Sequence, residues 1–185
     1  MKHLLLYISV LFYFCSTATP EQKTEKEINK IEKIVDSCDN KFLTNEIQIF
    51  KNQIDSIIKK IQPKHKNLMG YSTEGGEALF YIVNNDTLLV IASFYGEIGK
   101  AEERFYNKDN IPILYEKTMY IYETPINIDS MSEIDHIEKD VVIMQNFIIE
   151  KWCHSSKEFF DKEFEAMSNT IRDSYNFIRN EQEEW

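Results

Sequence analysis

Between residues 71 and 122 the sequence consists of short apolar runs separated by polar residues, and this pattern constrains the fold more than any other feature. The separators are rich in Asn, Asp and Gly, which favour tight turns. The runs themselves are rich in β-branched and aromatic residues, which is typical of strands. They cover residues 78–83, 88–95, 101–106 and 111–122. The segment therefore predicts an antiparallel β-meander.

Part of this segment matches itself when it is shifted by 23 residues. The matching pairs are Gly76 with Gly99, Ala78 with Ala101, Asn84 with Asn107, Asp86 with Asp109, Leu88 with Ile111 and Val90 with Ile113. Coincident turn residues indicate a duplicated β-hairpin unit. Two copies are too few for a free-standing repeat protein, so we expect helices to cover the sheet.

Helical periodicity is found on both sides of the meander. Residues 21–62 predict two helices, the first opening on the capping box Thr24-x-x-Glu27 and the second beginning near Asn45. Residues 155–183 predict one long amphipathic helix. Several cations near the end of the second helix are interpreted as a favourable helix C-terminus: Lys59, Lys60, Lys64, His65 and Lys66.

The acidic segment 129–140 is interpreted as a solvated loop, because it lacks the glycine of a calcium-binding loop. Runs at 141–144 and 147–152 then predict a last hairpin. The predicted fold is one α+β domain over 19–185. It has two N-terminal helices, an antiparallel β-meander of about six strands over 71–152, and one long C-terminal helix.

The N-terminus has the pattern of a secretory signal peptide over 1–18, with cleavage after Ala18. The apolar run 4–14 would span only about 17 Å as a helix, against about 30 Å of bilayer hydrocarbon. We therefore expect an exported bacterial protein, periplasmic or secreted, with no transmembrane span in the mature chain. A lipid anchor at Cys15 is the weaker alternative, because the bulky Phe14 precedes it.

The charge balance argues against nucleic acid as a partner. The chain carries 21 Lys+Arg against 31 Asp+Glu, a formal net charge of −10. Loss of residues 1–18 removes Lys2 and no acid, which makes the mature chain more negative still. Such a chain gains nothing from a phosphate backbone, whereas it would associate quickly with a basic protein.

The cysteines and histidines offer few chemical possibilities. Cys38 and Cys153 remain after export, and in an oxidising compartment they form either a disulfide or two separate buried thiols. His65, His136 and His154 show no metal-ligand spacing, so no metal, cofactor or catalytic residue is predicted. A nucleophile pair of either cysteine with His136 is conceivable only in three dimensions.

Tyrosines are concentrated in the meander. They either pack in the core or form a face that binds a partner. The six within the predicted strands are Tyr81, Tyr95, Tyr106, Tyr115, Tyr120 and Tyr122. The strand at 88–95 is apolar on both of its faces, so it has to be covered twice.

The stretches Tyr-Ser-Thr-Glu-Gly-Gly-Glu at 71–77 and Tyr-Gly-Glu-Ile-Gly-Lys at 95–100 carry a family resemblance. They resemble a group of uncharacterised exported bacterial proteins with GGE…YGE-x-GK β-hairpins, which are similar in style to MORN repeats. The similarity extends from residue 71 towards Trp152, although the usual Asn-Gly turns are missing. The resemblance implies an antiparallel sheet flanked by helices in an exported protein, and it implies no catalytic residue.

Three functions remain open at this point. The leading hypothesis is a non-enzymatic binding or interaction module of the cell envelope or the secreted fraction, with an unknown protein as its partner. One alternative is an acidic inhibitor or immunity-type partner of a basic enzyme. The other is a hydrolase with a Cys/His site, built on Cys153 or a histidine.

Overall fold

One antiparallel sheet is the centre of the fold, and its strands follow each other in chain order. The computed structural model describes residue 38 and residues 42–70, 72–125, 134–155, 157–158 and 161–180. The strands are β1 Lys64–Leu68, β2 Gly76–Val83, β3 Asp86–Gly96, β4 Gly99–Lys108, β5 Ile111–Tyr122, β6 Ile134–Gln145, β7 Ile148–His154 and the two-residue β8 Lys157–Glu158. Each strand pairs only with its neighbours in sequence, so the sheet is a meander.

Three of its hairpins are built in the same way. Each has a two-residue turn in which both φ angles are positive: Asn84 and Asn85, Asp109 and Asn110, Asn146 and Phe147. The third residue of each returning strand has no register partner, which makes it a bulge: Leu88, Ile113 and Glu150. Bulges increase the local strand twist. The three hairpins at this end of the sheet therefore share one turn geometry.

The sequence match at a shift of 23 residues has a structural counterpart at the first residues of β2 and β4. A Cβ added to Gly76 would lie against the carbonyl oxygen of Ser93, and one added to Gly99 against that of Tyr120. Both positions therefore require glycine for a close backbone approach. The match does not extend to the turns, because β2 has 8 residues and β4 has 10.

One helix packs on each face of the sheet. Helix α1 is Asn45–Ile58, and the hydroxyl of its N-cap Thr44 accepts from the amide of Ile47 at 3.4 Å. Helix α2 is Asp161–Asn180. We call the two sides of the sheet the α1 face and the α2 face.

Each face has its own hydrophobic core. The core on the α1 face consists of Cys38, Phe42, Ile54, Leu89, Tyr106, Leu114, Val141, Ile143 and Cys153. The larger core on the α2 face includes Phe80, Val90, Phe94, Phe105, Tyr115, Val142, Ile171, Tyr175 and Ile178. Strand β3 supplies residues to both cores, which is why its sequence is apolar on both faces.

The α+β prediction with an antiparallel sheet is confirmed, but the predicted element count is wrong. Only α1 precedes the sheet among the described residues, and the first predicted helix lies outside them apart from residue 38. The sheet has seven strands and the two-residue β8, where about six strands were predicted. The signal peptide 1–18, Cys15 and the segment 126–133 also lie outside the described residues.

Two charged segments that we had predicted as a helix end and a loop are strands in the structure. Lys64, His65 and Lys66 belong to β1, an edge strand whose first residues are exposed, and not to a helix end. Exposed lysines are common on edge strands because they discourage pairing with another chain. Strand β6 begins at Ile134, so most of the predicted acidic loop is strand; its Lys139 and Asp140 are buried.

A disulfide joins the two cysteines that remain after the predicted cleavage. Cys38 and Cys153 have a Cα–Cα distance of 6.0 Å, and both are buried on the α1 face. The bond ties the chain ahead of α1 to strand β7 over a sequence separation of 115 residues. The alternative of two separate buried thiols does not describe this structure.

We expect this disulfide to contribute strongly to stability. In the chain-entropy model, closing so long a loop stabilises the fold by about 4–5 kcal/mol. The variant with both Cys38→Ala and Cys153→Ala should therefore have a free energy of unfolding, measured with a chemical denaturant, that is lower by much of this amount. Reduction should raise the intact mass of the oxidised protein by two hydrogens. An unchanged mass, or equal stability of the double variant, would contradict the bond.

Candidate functional site

The two ends of the sheet differ in how they are covered. The three two-residue turns lie at one end, which we call the turn end. At the other end, which we call the open end, lie residues 69–70 and 72–75 of the connection from β1 to β2, the turn at 97–98 and residues 123–125. Helix α2 is held towards the turn end, because the Tyr175 hydroxyl lies within hydrogen-bond distance of two acceptors there, Asn107 Oδ1 at 3.3 Å and the Asn110 carbonyl at 3.2 Å.

A pocket of about 350 Å³ is located at the open end, and we call it the open-end pocket. Its lining is mostly apolar: Ser72, Thr73, Phe94, Tyr95, Gly96, Ile98, Gly99, Lys100, Ala101, Met119, Tyr120 and Ile121. These residues come from the ends of β3, β4 and β5, from the turn at 97–98 and from residues 72–73 ahead of β2. The volume falls within the range of small-molecule sites, about 300–1,000 Å³.

The sequence forms this pocket by placing small residues beside large ones. Side chains alternate along a strand, so Gly96, Gly99 and Ala101 share the α2 face with the larger Phe94 and Met119. The small residues leave a depression that the large ones border. Gly99 cannot be enlarged without displacing the backbone at Tyr120.

Exposed apolar side chains lie next to the pocket. Ile98 is 66% exposed in the turn at its rim, and Met69 is 74% exposed in the connection after β1. The Met69 sulfur lies near Gly75, at the start of β2. Exposed apolar groups beside an apolar pocket are typical of binding sites.

On the α1 face, the open end carries a hydrogen-bonded group around Glu77. The Tyr95 hydroxyl donates to Glu77 Oε1 at 2.5 Å, and His65 Nε2 lies 2.8 Å from Glu77 Oε2. The bond from Tyr95, followed by that from His65, lowers the pKa of Glu77. The same bond raises the pKa of Tyr95, because the carboxylate favours the protonated phenol. Both shifts favour the form in which Glu77 is ionised and Tyr95 is protonated.

Ion pairs continue this polar surface across β4. Arg104 Nε donates to Glu102 Oε1 at 2.8 Å, and Lys100 Nζ lies 3.9 Å from Glu102 Oε2. Burial alone would lower the pKa of Arg104, but the Glu102 carboxylate outweighs burial and raises it. Lys100 also lies 5.7 Å from the centre of the Tyr95 ring. These cations are held by their partners.

Under α1, buried charges connect the helix to the sheet. Lys51 of α1 donates to Glu116, and Lys139 lies 4.0 Å from the same carboxylate. The Tyr106 hydroxyl donates to Asp55 at 3.1 Å, and burial raises the pKa of Tyr106 strongly. These contacts fix the position of α1, and we assign them a structural role.

A row of charges crosses the α2 face next to the pocket. Glu103 accepts from Ser174 of α2 at 2.6 Å and lies 3.5 Å from Lys117. Lys117 is the register partner of Asp140. Asp140 in turn accepts from Trp152 Nε1 at 2.7 Å and contacts His154 Nδ1 at 2.9 Å. On β4 and β5 the row lies between the pocket residues Ala101 and Met119 and the buried Phe105 and Tyr115. On β3, Phe94 belongs to both the pocket and the α2 core.

The six tyrosines of the meander do not form one exposed face. By register, Tyr115 lies on the α2 face and the other five lie on the α1 face. Tyr106 and Tyr115 are fully buried, and Tyr81 packs against the α1 core. Tyr95 and Tyr120 line the open-end pocket. Burial raises the pKa of Tyr120.

The structure does not bring together the residues of a Cys/His nucleophile pair. Cys153 is in the disulfide on the α1 face, whereas His136 lies on the α2 face beside Asp135, at 2.7 Å, and Glu138, at 3.7 Å. His65 and His154 contact separate carboxylates. Within the described ranges, no three His, Cys, Asp or Glu side chains are grouped to hold a metal ion.

Sequence reasoning missed the pocket as a site. Seven of its residues belong to the two stretches that carried the family resemblance, but we interpreted those stretches as turns: Ser72, Thr73, Tyr95, Gly96, Ile98, Gly99 and Lys100. The closely spaced glycines were the signal that a depression could form there. Met119 and Ile121 gave no signal, because their place beside the glycines depends on the pairing of β4 with β5.

Comparison with known proteins provides no further assignment. No protein-family model, no curated protein and no solved structure was found to match this chain. In the described part of the chain, no helix is both long enough and apolar enough to cross a membrane.

The Glu77 group generates a pH prediction. The pKa of Glu77 is lowered from its usual value of 4.5 in the folded state. The ionised carboxylate therefore stabilises the fold above pH 4.5, and this stabilisation is lost as the pH falls through the pKa of the folded state. We expect Tyr95→Phe to be less stable than wild type at neutral pH, with a difference that narrows in acid. Thermal unfolding at several pH values measures it.

Tyr122→Phe provides the matched control, since it removes a half-buried phenol from the same face and end. Its stability difference from wild type should not vary with pH in the acid range. A Tyr95→Phe difference that stays constant from neutral pH into acid would show that Glu77 does not depend on this hydrogen bond.

Proposed function

We propose that this protein is an exported, non-enzymatic binding module that takes an apolar group of its ligand into the open-end pocket. The pocket is the observation that carries this proposal. Its apolar lining gains free energy when an apolar group replaces water, at about 25 cal/mol per Å² buried. The rim residue Ile98 would add to the buried area, since it is largely exposed in the unbound protein.

The polar groups around the pocket support binding over catalysis. Glu77, Glu102 and Glu103 are each engaged by hydrogen bonds or ion pairs with neighbouring side chains. A general acid or base has to be within hydrogen-bond reach of a reacting atom. Groups held in this way are better suited to fixing the shape and charge of the site than to transferring protons.

Export is supported by two independent features. Residues 1–18 have the composition of a signal peptide, and a disulfide between Cys38 and Cys153 is stable in an oxidising compartment. The rigid sheet gives the pocket a fixed shape, because three neighbouring strands supply most of its lining. A preformed site of this kind binds without a large ordering cost.

A neutral dye tests the pocket directly. We expect the fluorescence of Nile red to rise and shift to the blue on binding, with saturation at a single site. Ala101→Leu should weaken binding by about tenfold, which corresponds to about 1.4 kcal/mol, because the added carbons fill the pocket. Ile98→Ser should weaken it to a smaller extent through loss of the rim.

Ile148→Ser is the matched control, since Ile148 is 70% exposed next to a two-residue turn at the opposite end of the sheet. It should bind the dye as wild type does. Near-ultraviolet circular dichroism would establish that each variant is folded. Equal dye binding by folded Ala101→Leu and wild type would refute the proposed site.

A further inference from the structure

We infer that the ligand of the open-end pocket is a basic polypeptide segment. It inserts one apolar side chain into the pocket and places flanking Lys or Arg residues against acidic groups around the rim. This inference rests on the proposed binding function and specifies the chemistry of the partner.

Exposed acidic residues adjoin the lining of the open-end pocket in sequence. Three adjoin its lining in sequence: Glu74 follows Thr73, Glu97 lies between Gly96 and Ile98, and Glu123 lies two residues after Ile121. All three are exposed, and none has a salt bridge to another described residue. They are therefore free to pair with cations of a partner.

Strand β6 extends this acidic surface. Glu138 is the register partner of the pocket residue Met119, and its side chain is 38% exposed. Asp135 is exposed in the bulge beside it. Among the described residues, the nearby Lys100 and His136 already have carboxylate partners: Glu102 for Lys100, and Asp135 and Glu138 for His136. The local field is negative.

The turn end has a different charge pattern. Its exposed residues include both signs, with Lys108 beside Asp109 and Lys151 beside Glu150. Lys59 and Lys60, at the end of α1, are also exposed. The excess of unpaired acid is thus found at the end that carries the pocket. An apolar pocket bordered by negative charges favours a partner that carries positive charges.

The arrangement favours a polypeptide over a small cation or a nucleic acid. Nucleic acid is repelled by the acidic rim, and a hydrophilic cation gains nothing from the apolar pocket. A chain with an apolar residue between basic ones satisfies both features at once. In protein interfaces, one well-packed apolar anchor commonly supplies most of the affinity, while rim charges accelerate association.

Synthetic peptides test this inference on the full mature protein. The first is Lys-Arg-Gly-Phe-Gly-Lys-Arg with blocked ends, the second has alanine in place of phenylalanine, and the third has glutamate in place of every basic residue. Calorimetry should detect only the first. Its affinity should fall by about tenfold between low and physiological salt, because salt screens the exposed charges.

Two charge variants locate the contact. The triple variant Glu74→Gln, Glu97→Gln and Glu123→Gln should weaken binding of the first peptide by about tenfold, or about 1.4 kcal/mol. The matched control at the turn end is Asp86→Asn, Asp109→Asn and Glu150→Gln. It removes the same number of charges and should bind as wild type does.

The outcomes separate this inference from the proposed function. If Nile red occupies the pocket but the basic and acidic peptides bind equally, the partner is not basic and the binding function still stands. If the alanine peptide binds as well as the phenylalanine peptide, the pocket is not the anchor site and the inference is overturned. If neither dye nor peptide responds to Ala101→Leu, both proposals fall.

Discussion

The need to cover a single sheet on both faces determines the rest of this structure. Strand β3 is apolar on each side, so a sheet built around it has to be buried twice. Helix α1 and the residues ahead of it cover one face, and helix α2 covers the other. The Cys38–Cys153 disulfide attaches the first of these layers covalently to β7. The chain thereby gains two cores from one meander.

The same constraint explains where the binding end lies. Tyr175 anchors α2 near the three two-residue turns, and Ile54 of α1 packs with strand residues towards that end. At the other end, Gly96 and Gly99 reduce the side-chain volume above the strands and leave the open-end pocket. The pocket is thus formed on the strands of the sheet, and the contacts that hold the two helices are concentrated towards the turn end.

Strands β2 to β5, strand β7, helix α2 and the apolar character of both faces of β3 were predictable, because period and turn residues are local signals. Strand β1 was not, since an exposed edge strand with lysines has no apolar alternation. Residues 135–140 were misassigned because their charges are satisfied by cross-strand partners such as His154, which no local pattern reveals. The pocket escaped prediction for the same reason: it depends on which residues of β5 lie opposite Gly99 and Ala101.

The central claim is that the open end of the α2 face is accessible while the turn end is closed. Methyl-resolved NMR with a soluble nitroxide measures this in one experiment. Met119 and Ile98 methyl signals should broaden strongly at nitroxide concentrations that leave Met144 and Ile171 sharp, since the latter two are 3% and 1% exposed. Equal protection of Met119 and Met144 would show that the pocket is closed and would contradict the account.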